Sequence, residues 1–173
     1  KDQGQETLID NYSFSGTALA QAESTEHRLI YVSPILKEEV HISGTTVFTI
    51  KASSSKPAVN LSVYLVSLPW NESRRANITD NVITRGWADL QNHQSLRESI
   101  PLKPGEFYEM SFDLQPDDQV IPAGQQIGLL IFSSDRDFTL LPIPGTELTV
   151  DLDATNISIP IVGGEKAFKA AIE

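Results

Sequence analysis

Residues 107–114, with the sequence FYEMSFDL, decide the fold class of this chain. Their side chains alternate in character: Tyr108, Met110, Phe112 and Leu114 on one side, and Phe107, Glu109, Ser111 and Asp113 on the other. Because successive side chains of a β-strand point to opposite faces, this pattern predicts a strand with one apolar and one polar face. Phe107 is the one apolar residue on the polar face, so we expect it at a partner surface.

The same two-residue period recurs along the chain. Apolar and polar residues alternate over 46–52, 59–65, 147–152 and 157–161, and the segments 29–32, 39–42 and 82–90 are less regular candidates. Residues 127–132 are continuously apolar, which is typical of a central strand covered on both faces. Turn signals such as Lys103-Pro104-Gly105 and Ile143-Pro144-Gly145 separate these segments. Pro160 predicts a sheet edge or a bulge within the last strand.

These elements predict an all-β fold. About eight or nine strands without helix–strand alternation are typical of a jelly-roll-like β-sandwich, of the galactose-binding-domain kind. Helical pattern is confined to one turn within 91–99 and a short C-terminal helix. We expect three parts: a polar leader or linker from a preceding domain at 1–26, the sandwich at 27–164, and a C-terminal tail with helical pattern at 165–173.

Charge and composition exclude several classes of partner. The 173 residues carry a net charge of −10, and the one basic cluster is Arg74-Arg75, so neither nucleic acid nor an anionic membrane surface is expected as a partner. The sequence has no apolar run of about 18 residues that could span a membrane. Five N-x-[ST] sequons would suit a secreted protein, but Ser and Thr also abound on strand faces. The compartment, cytoplasmic or secreted, stays open.

The residues that catalysis or metal binding needs are missing or scattered. There is no cysteine and no G-x-S-x-G elbow. The three histidines, His27, His41 and His93, lack the spacing of a helical zinc pair. The acidic pairs Asp117-Asp118, Asp135 with Asp137, and Asp151 with Asp153 do not match a calcium loop, and we expect them on a solvated rim. The sequence therefore predicts no catalytic residue, no metal site and no cofactor.

Two tryptophans are candidate contact residues. Trp70 and Trp87 are large aromatic side chains of the kind that stack on sugars in carbohydrate-binding sandwiches. Trp87 lies within a predicted strand, where core or interface packing is the more frequent role. Trp70 follows Pro69 at a strand end, and both roles remain open for it. Trp70, Trp87 and Phe107 are thus the candidate interface or ligand-contact residues.

Three stretches resemble a known family. The block IPAGQQIGLLIFSSDRDFTLLPIPGTELTVDLDATNISIPIVGG (residues 121–164) and the stretch VITRGWADLQNHQSL (residues 82–96) are similar to sequences of Xaa-Pro dipeptidyl-peptidases and of the related cocaine-esterase-like and acylamino-ester hydrolases. Residues 28–68 resemble the opening strands of the C-terminal jelly-roll domain of that family. The resemblance covers about residues 28–164. One departure is Gln125-Gln126, where the family commonly has His-Arg.

The resemblance implies an accessory role. In the family, a Ser-Asp-His triad lies in an α/β-hydrolase domain that precedes the jelly roll, so no catalytic residue carries over to this chain. The implied function is packing on the hydrolase domain of the same parent chain and shaping its substrate pocket, with release of N-terminal Xaa-Pro dipeptides as the parent activity. Homo-oligomerisation through the parent stays open. The alternatives are a carbohydrate-binding module and a structural or self-association domain.

Overall fold

The computed structural model describes residues 2–71 and 78–173. In these ranges the chain forms eleven β-strands and two α-helices. The strands are β1 (Gln5–Ile9), β2 (Arg28–Val32), β3 (Val40–Gly44), β4 (Val47–Ser54), β5 (Asn60–Leu68), β6 (Val82–Asp89), β7 (Phe107–Asp113), β8 (Asp117–Ile121), β9 (Gln126–Phe132), β10 (Glu147–Asp151) and β11 (Asn156–Ser158). The helices are α1 (Gly16–Gln21) and α2 (Gly164–Ile172), and 3-10 turns lie at Ile78–Asn81 and Leu90–Asn92.

The strands form two sheets and a ribbon, all antiparallel. In the five-stranded sheet A, β10 and β11 pair in succession with one edge of β4, β7 pairs with its other edge, and β1 pairs with β10. In the four-stranded sheet B the order is β2-β9-β5-β6. The ribbon consists of β3 and β8. The all-β sandwich predicted from the alternation is confirmed.

The main core lies between the two sheets. Sheet A contributes Phe48 and Ile50, and sheet B contributes Leu61, Val63 and Ile131, all of them inaccessible to solvent. Each such side chain stabilises the fold by about 1.5–3 kcal/mol relative to an exposed one. These residues occupy alternate positions of their strands, so the period seen in the sequence is the period of this interface.

A second apolar layer covers the outer face of sheet B. Tyr64 and Val66 of β5 and Leu130 and Phe132 of β9 point away from the main core, and α1 packs over them through residues that include Leu19. Sheet B is therefore buried on both faces near its centre, as the continuous apolar run at 127–132 predicts. A third apolar cluster joins the ribbon to α2.

The N-terminal segment differs from the expected linker. Residues 5–9 pair with β10 in sheet A, where Leu8 is fully buried, and residues 16–21 form α1 over sheet B. The polar composition of 1–26 concealed this role because an edge strand and a short helix need few apolar side chains to attach. The strand β8 was also missed, since its sequence DDQVI is mostly polar. The C-terminal helix is confirmed as α2.

Candidate functional site

The outer face of sheet B carries an aromatic cluster beside α1. Tyr64 lies opposite Arg85 in the pairing of β5 with β6, and Trp87 lies two positions further along β6, so all three side chains share this face. The Phe138 ring stacks on Trp87, with centroids 4.5 Å apart and planes at 24°. The Arg85 guanidinium carbon lies 4.5 Å from the Phe138 centroid and 5.3 Å from that of Trp87, within cation–π range.

The Trp87 ring is packed against several neighbours. One face of its indole is covered by Phe138 and Arg85, and the ring is half-buried against the layer beneath α1. Trp87 is therefore part of a packed aromatic cluster.

A buried carboxylate connects this cluster to its surroundings. Asp135 is fully buried (0% exposed). Its Oδ2 accepts hydrogen bonds from the Tyr64 hydroxyl at 2.7 Å and the Trp87 Nε1 at 3.3 Å, and its Oδ1 accepts from the Gly16 N–H at 2.9 Å and the Asp137 N–H at 3.2 Å. The expectation of a solvated rim is wrong for Asp135, because four donors replace the water that this carboxylate would otherwise need.

Arg85 is a cation in the hydrogen-bond network of Asp135, which it contacts indirectly through Tyr64. No Lys or Arg of the described ranges forms an ion pair with it, but Arg85 donates to the Tyr64 hydroxyl at 3.4 Å, and that hydroxyl donates to Asp135. Burial raises the pKa of the Tyr64 phenol, and its hydrogen bond to Asp135 raises that pKa further. Tyr64 is therefore a protonated donor at neutral pH.

Asp135 also immediately precedes the tip loop, which we define as residues 136–143. The Asp135 N–H donates to the Thr139 hydroxyl at 2.9 Å, and the N–H groups of Phe138 and Thr139 donate back to the Asp135 carbonyl. Asn60 of β5 donates to the Leu140 carbonyl at 2.8 Å. The tip loop is thus held to sheet B by backbone and side-chain hydrogen bonds at several points.

The tip loop exposes an unusual amount of apolar surface. Phe138 is 52% exposed, Leu140 87% and Leu141 70%, and Ile143 and the nearby Phe14 are exposed as well. Arg136 donates its N–H to the Phe14 carbonyl, which joins the two segments. Contiguous apolar side chains on a well-anchored loop are typical of a partner surface. The signal in the sequence was the run FTLLPI at 138–143, which has apolar residues but no strand alternation.

Trp70 follows the end of β5 and lines an open cleft of about 680 Å³ that has both polar and apolar residues. It packs beside the residues under α1, and side-chain amides line the cleft around it, from Asn81, Gln119 and Gln125. The Asn81 side-chain amide nitrogen donates hydrogen bonds to the carbonyls of Ser67 and Pro69. The Gln125 Oε1 is buried without a hydrogen-bond partner among the described residues.

Phe107 is remote from both features. It lies at the start of β7, on the outer face of sheet A, half-buried with the Lys51 ammonium 5.9 Å from its ring centroid. The structure brings Trp87 and the tip loop together and leaves Trp70 and Phe107 outside that cluster. Arg74-Arg75 lies outside the described residues.

The histidines have local partners, whereas the Oδ2 of Asp117 is buried without a hydrogen-bond partner among the described residues, so the expected solvated rim does not hold for that oxygen. His41 pairs with Asp118 across the ribbon at 2.5 Å, which holds the pKa of the Asp118 carboxyl below its usual value. His27 contacts the Ile9 carbonyl, and His93 lies beside the Tyr108 ring. Over residues 2–71 and 78–173, no three His, Cys, Asp or Glu side chains are grouped as metal ligands.

Neither α-helix of these ranges has the length and hydropathy needed to cross a membrane.

Comparison with known proteins assigns the family. Residues 1–169 match the model of the X-Pro dipeptidyl-peptidase C-terminal non-catalytic domain. The chain belongs to this family. The match begins at residue 1, which agrees with the place of β1 in sheet A and α1 on sheet B, and the resemblance found in the sequence is confirmed.

Individual relatives of this domain carry consistent names. A Rhodopirellula baltica protein named "Putative Xaa-Pro dipeptidyl-peptidase" is 64% identical over 159 residues, covering 92% of this chain and 25% of that protein. A Bacillus anthracis protein of the same name is 38% identical over 158 residues, covering 90% of this chain and 25% of that protein. The chain thus spans about a quarter of the length of these relatives.

Solved structures share the fold at low sequence identity. An α-amino acid ester hydrolase superposes with a TM-score of 0.73 at 14% identity, over 92% of this chain and 33% of that one. An aminopeptidase from a Thaumarchaeota archaeon superposes with a TM-score of 0.72 at 15% identity, over 94% and 34%. The likeness to these structures concerns the fold, and the family model describes the domain as C-terminal and non-catalytic.

Proposed function

We propose that this domain is the accessory part of a serine hydrolase that releases N-terminal Xaa-Pro dipeptides. In this proposal it packs on the α/β-hydrolase domain of the same polypeptide and helps to shape its substrate pocket. The relatives named for this activity are about four times as long as the match, which leaves room for a catalytic domain. The observation that carries the docking role is the exposed apolar surface of the tip loop.

Dipeptide release would divide the work between two domains. The catalytic domain would supply a serine nucleophile, its base and the donors that stabilise the tetrahedral intermediate. The accessory domain would supply apolar surface that excludes water and fixes the substrate, since correct placement alone is worth several orders of magnitude in rate. The described side chains of this domain suit that contribution, because they form a rigid, hydrogen-bonded scaffold with an apolar tip.

The test uses the full-length parent protein with Ala-Pro-p-nitroanilide. We expect turnover that a serine-directed reagent such as phenylmethylsulfonyl fluoride abolishes, and no turnover by the 173-residue chain alone. A full-length protein that hydrolyses only esters would refute the dipeptidase activity but not the accessory role. Activity of the 173-residue chain that the reagent abolishes would refute the accessory role.

A carbohydrate-binding module is the second candidate, and the Trp70 cleft is the observation in its favour. A half-buried indole lines this cleft together with the amides of Gln119 and Gln125 and the carboxylate of Asp80, which combines a stacking surface with hydrogen-bonding groups. The test is calorimetric titration with galactose- and glucose-based oligosaccharides, with Trp70→Ala as the variant and Trp87→Ala as the matched control. Absence of saturable binding would eliminate this candidate.

A further inference from the structure

The tip loop combines an anchored base with an exposed apolar tip. Its base is fixed by a buried, fully hydrogen-bonded carboxylate, whereas Leu140 and Leu141 at its tip are 87% and 70% exposed. Leucine side chains left in water forgo the stabilisation that burial would give them. The loop is therefore held by its anchors in a shape that its own apolar residues do not favour.

The Asp135 anchor joins four separate segments of the chain. Its donors come from the start of α1 (Gly16), from β5 (Tyr64), from β6 (Trp87) and from the tip loop itself (Asp137). A carboxylate offers about four acceptor positions, and all of them are used. Loss of one donor would therefore loosen the tip loop, α1 and the aromatic cluster together.

A second buried carboxylate supports the same loop. Asp10, at the end of β1, accepts from the Ser134 N–H at 2.7 Å and from the Ser134 hydroxyl at 3.1 Å. Asn60 then connects Ser134 to the Leu140 carbonyl. Ser134, which lies just before the tip loop, is thus held by Asp10 on β1's side and by Asn60 on β5's side.

We propose that Asp135 is a positioning residue which presents the apolar tip loop, with Phe14 beside it, to the catalytic domain of the same polypeptide. This inference rests on the proposed function and deepens it by naming the docking surface. The occupant is the upstream part of the parent chain, because the relatives carry three quarters of their length outside the match and the family is a C-terminal domain. Rigid anchoring lowers the entropic cost of docking, so the same apolar area binds more tightly.

The absence of cysteine from this chain allows a direct measurement. Two variants of the full-length protein, Leu140→Cys and Val120→Cys, are each pulse-labelled with N-ethylmaleimide. Mass spectrometry then measures the labelled fraction of the tryptic peptide 137–166 for position 140 and of peptide 98–136 for position 120. Val120, on the ribbon, is 48% exposed. If the side chains had only the exposure that they have within this domain, position 140 would be labelled faster than position 120. Docking predicts the reverse order, with labelling at 140 slower by roughly tenfold because it requires a local opening.

A matched pair of variants separates positioning from general loosening. Tyr64→Phe removes one donor to Asp135, and Tyr31→Phe removes a hydroxyl on the edge strand β2 of sheet B that donates to the exposed Glu6 of sheet A. We expect Tyr64→Phe to raise labelling at Cys-substituted position 140 severalfold and to leave position 120 unchanged, and Tyr31→Phe to change neither. Equal effects of the two variants would overturn the positioning role.

The outcomes also separate this inference from the proposed function. Protection at position 140 in a full-length protein without Xaa-Pro activity supports the docking surface and refutes the proposed substrate. Activity together with faster labelling at 140 than at 120 supports the function and overturns the docking surface. Protection that disappears on dilution, as light scattering shows a dimer dissociating, would assign the loop to a second copy and also overturn the inference.

Discussion

The Tyr64 hydroxyl donates a 2.7 Å hydrogen bond to the fully buried carboxylate of Asp135. Tyr64 lies in the middle of β5, whereas Asp135 immediately precedes the exposed tip loop. This bond therefore connects the centre of sheet B to the surface that we expect to dock. Buried charges are costly unless their hydrogen bonds are complete. We therefore expect loss of this bond both to destabilise the fold and to change the conformation of the tip loop.

Space around this bond is tight at Gly16. A Cβ at that position would lie 2.4 Å from the Asp135 Oδ2 and 2.6 Å from the Tyr64 hydroxyl. We expect Gly16→Ala to lower the free energy of unfolding by about 1–3 kcal/mol, because an overpacked site must displace its neighbours. Urea denaturation measures the change. Ala18→Ser, at an exposed position of the same helix, should have little effect, and equal effects would contradict the crowding.

The raised pKa of Tyr64 predicts a dependence of stability on high pH. The phenol stays protonated in the folded chain to a higher pH than in the unfolded chain, so its contribution is complete below the unfolded value of about 10 and decreases as pH rises beyond it. We expect urea denaturation between pH 8 and 11.5 to show this decrease, and Tyr64→Phe to reduce its slope. An unchanged slope in the variant would contradict the assignment.

The His41–Asp118 pair gives a prediction at low pH. His41 donates to the Asp118 carboxylate and lowers its pKa, so the stabilisation is present above about 3.9, the usual pKa of the unfolded group, and is lost as pH falls through the folded value. Carboxyl-carbon NMR should give a titration midpoint for Asp118 below that of a model peptide. His41→Asn should return the midpoint toward the model value, and no change would show that another group lowers it.

Two phenylalanines distinguish stability from docking. Phe48 is fully buried between the sheets, edge-to-face with Phe112, whereas Phe138 is half exposed on the tip loop. We expect Phe48→Ala to cost about 3–5 kcal/mol of stability and Phe138→Ala only about 1 kcal/mol, the value of its ring stacking. Thermal denaturation checks both. A larger loss for Phe138→Ala would mean that the tip loop is part of the core.

Strand alternation predicted much of this fold, because the two-residue period directly records which side chains meet between the sheets. At β1 and β8 the period failed. Gln5, Glu6 and Thr7 are exposed on an edge strand whose attachment comes from backbone hydrogen bonds to β10 and from the single buried Leu8. Backbone pairing leaves no mark in the side-chain pattern.

The Asp135 site could not have been predicted from local sequence. Its four donors come from residues 16, 64, 87 and 137, which only the sandwich topology brings together. An aspartate in the sequence SSDRD has the composition of a solvated loop, and the outcome depends on the pairing of β5 with β6 and β9. A strand position favours packing for Trp87, but its stacking partner Phe138 is 51 residues away in the sequence, so this pairing leaves no local signal.

In the proposed function, the tip loop supports catalysis by a neighbouring domain. The most direct test of this role is kcat/KM of the full-length protein for Ala-Pro-p-nitroanilide in the double variant Leu140→Ser/Leu141→Ser, with Val120→Ser as the control. The docking account predicts a fall of about tenfold to a hundredfold in the double variant, since small misplacements of a pocket wall cost that much, and wild-type activity in the control. Wild-type activity in a folded double variant would contradict it.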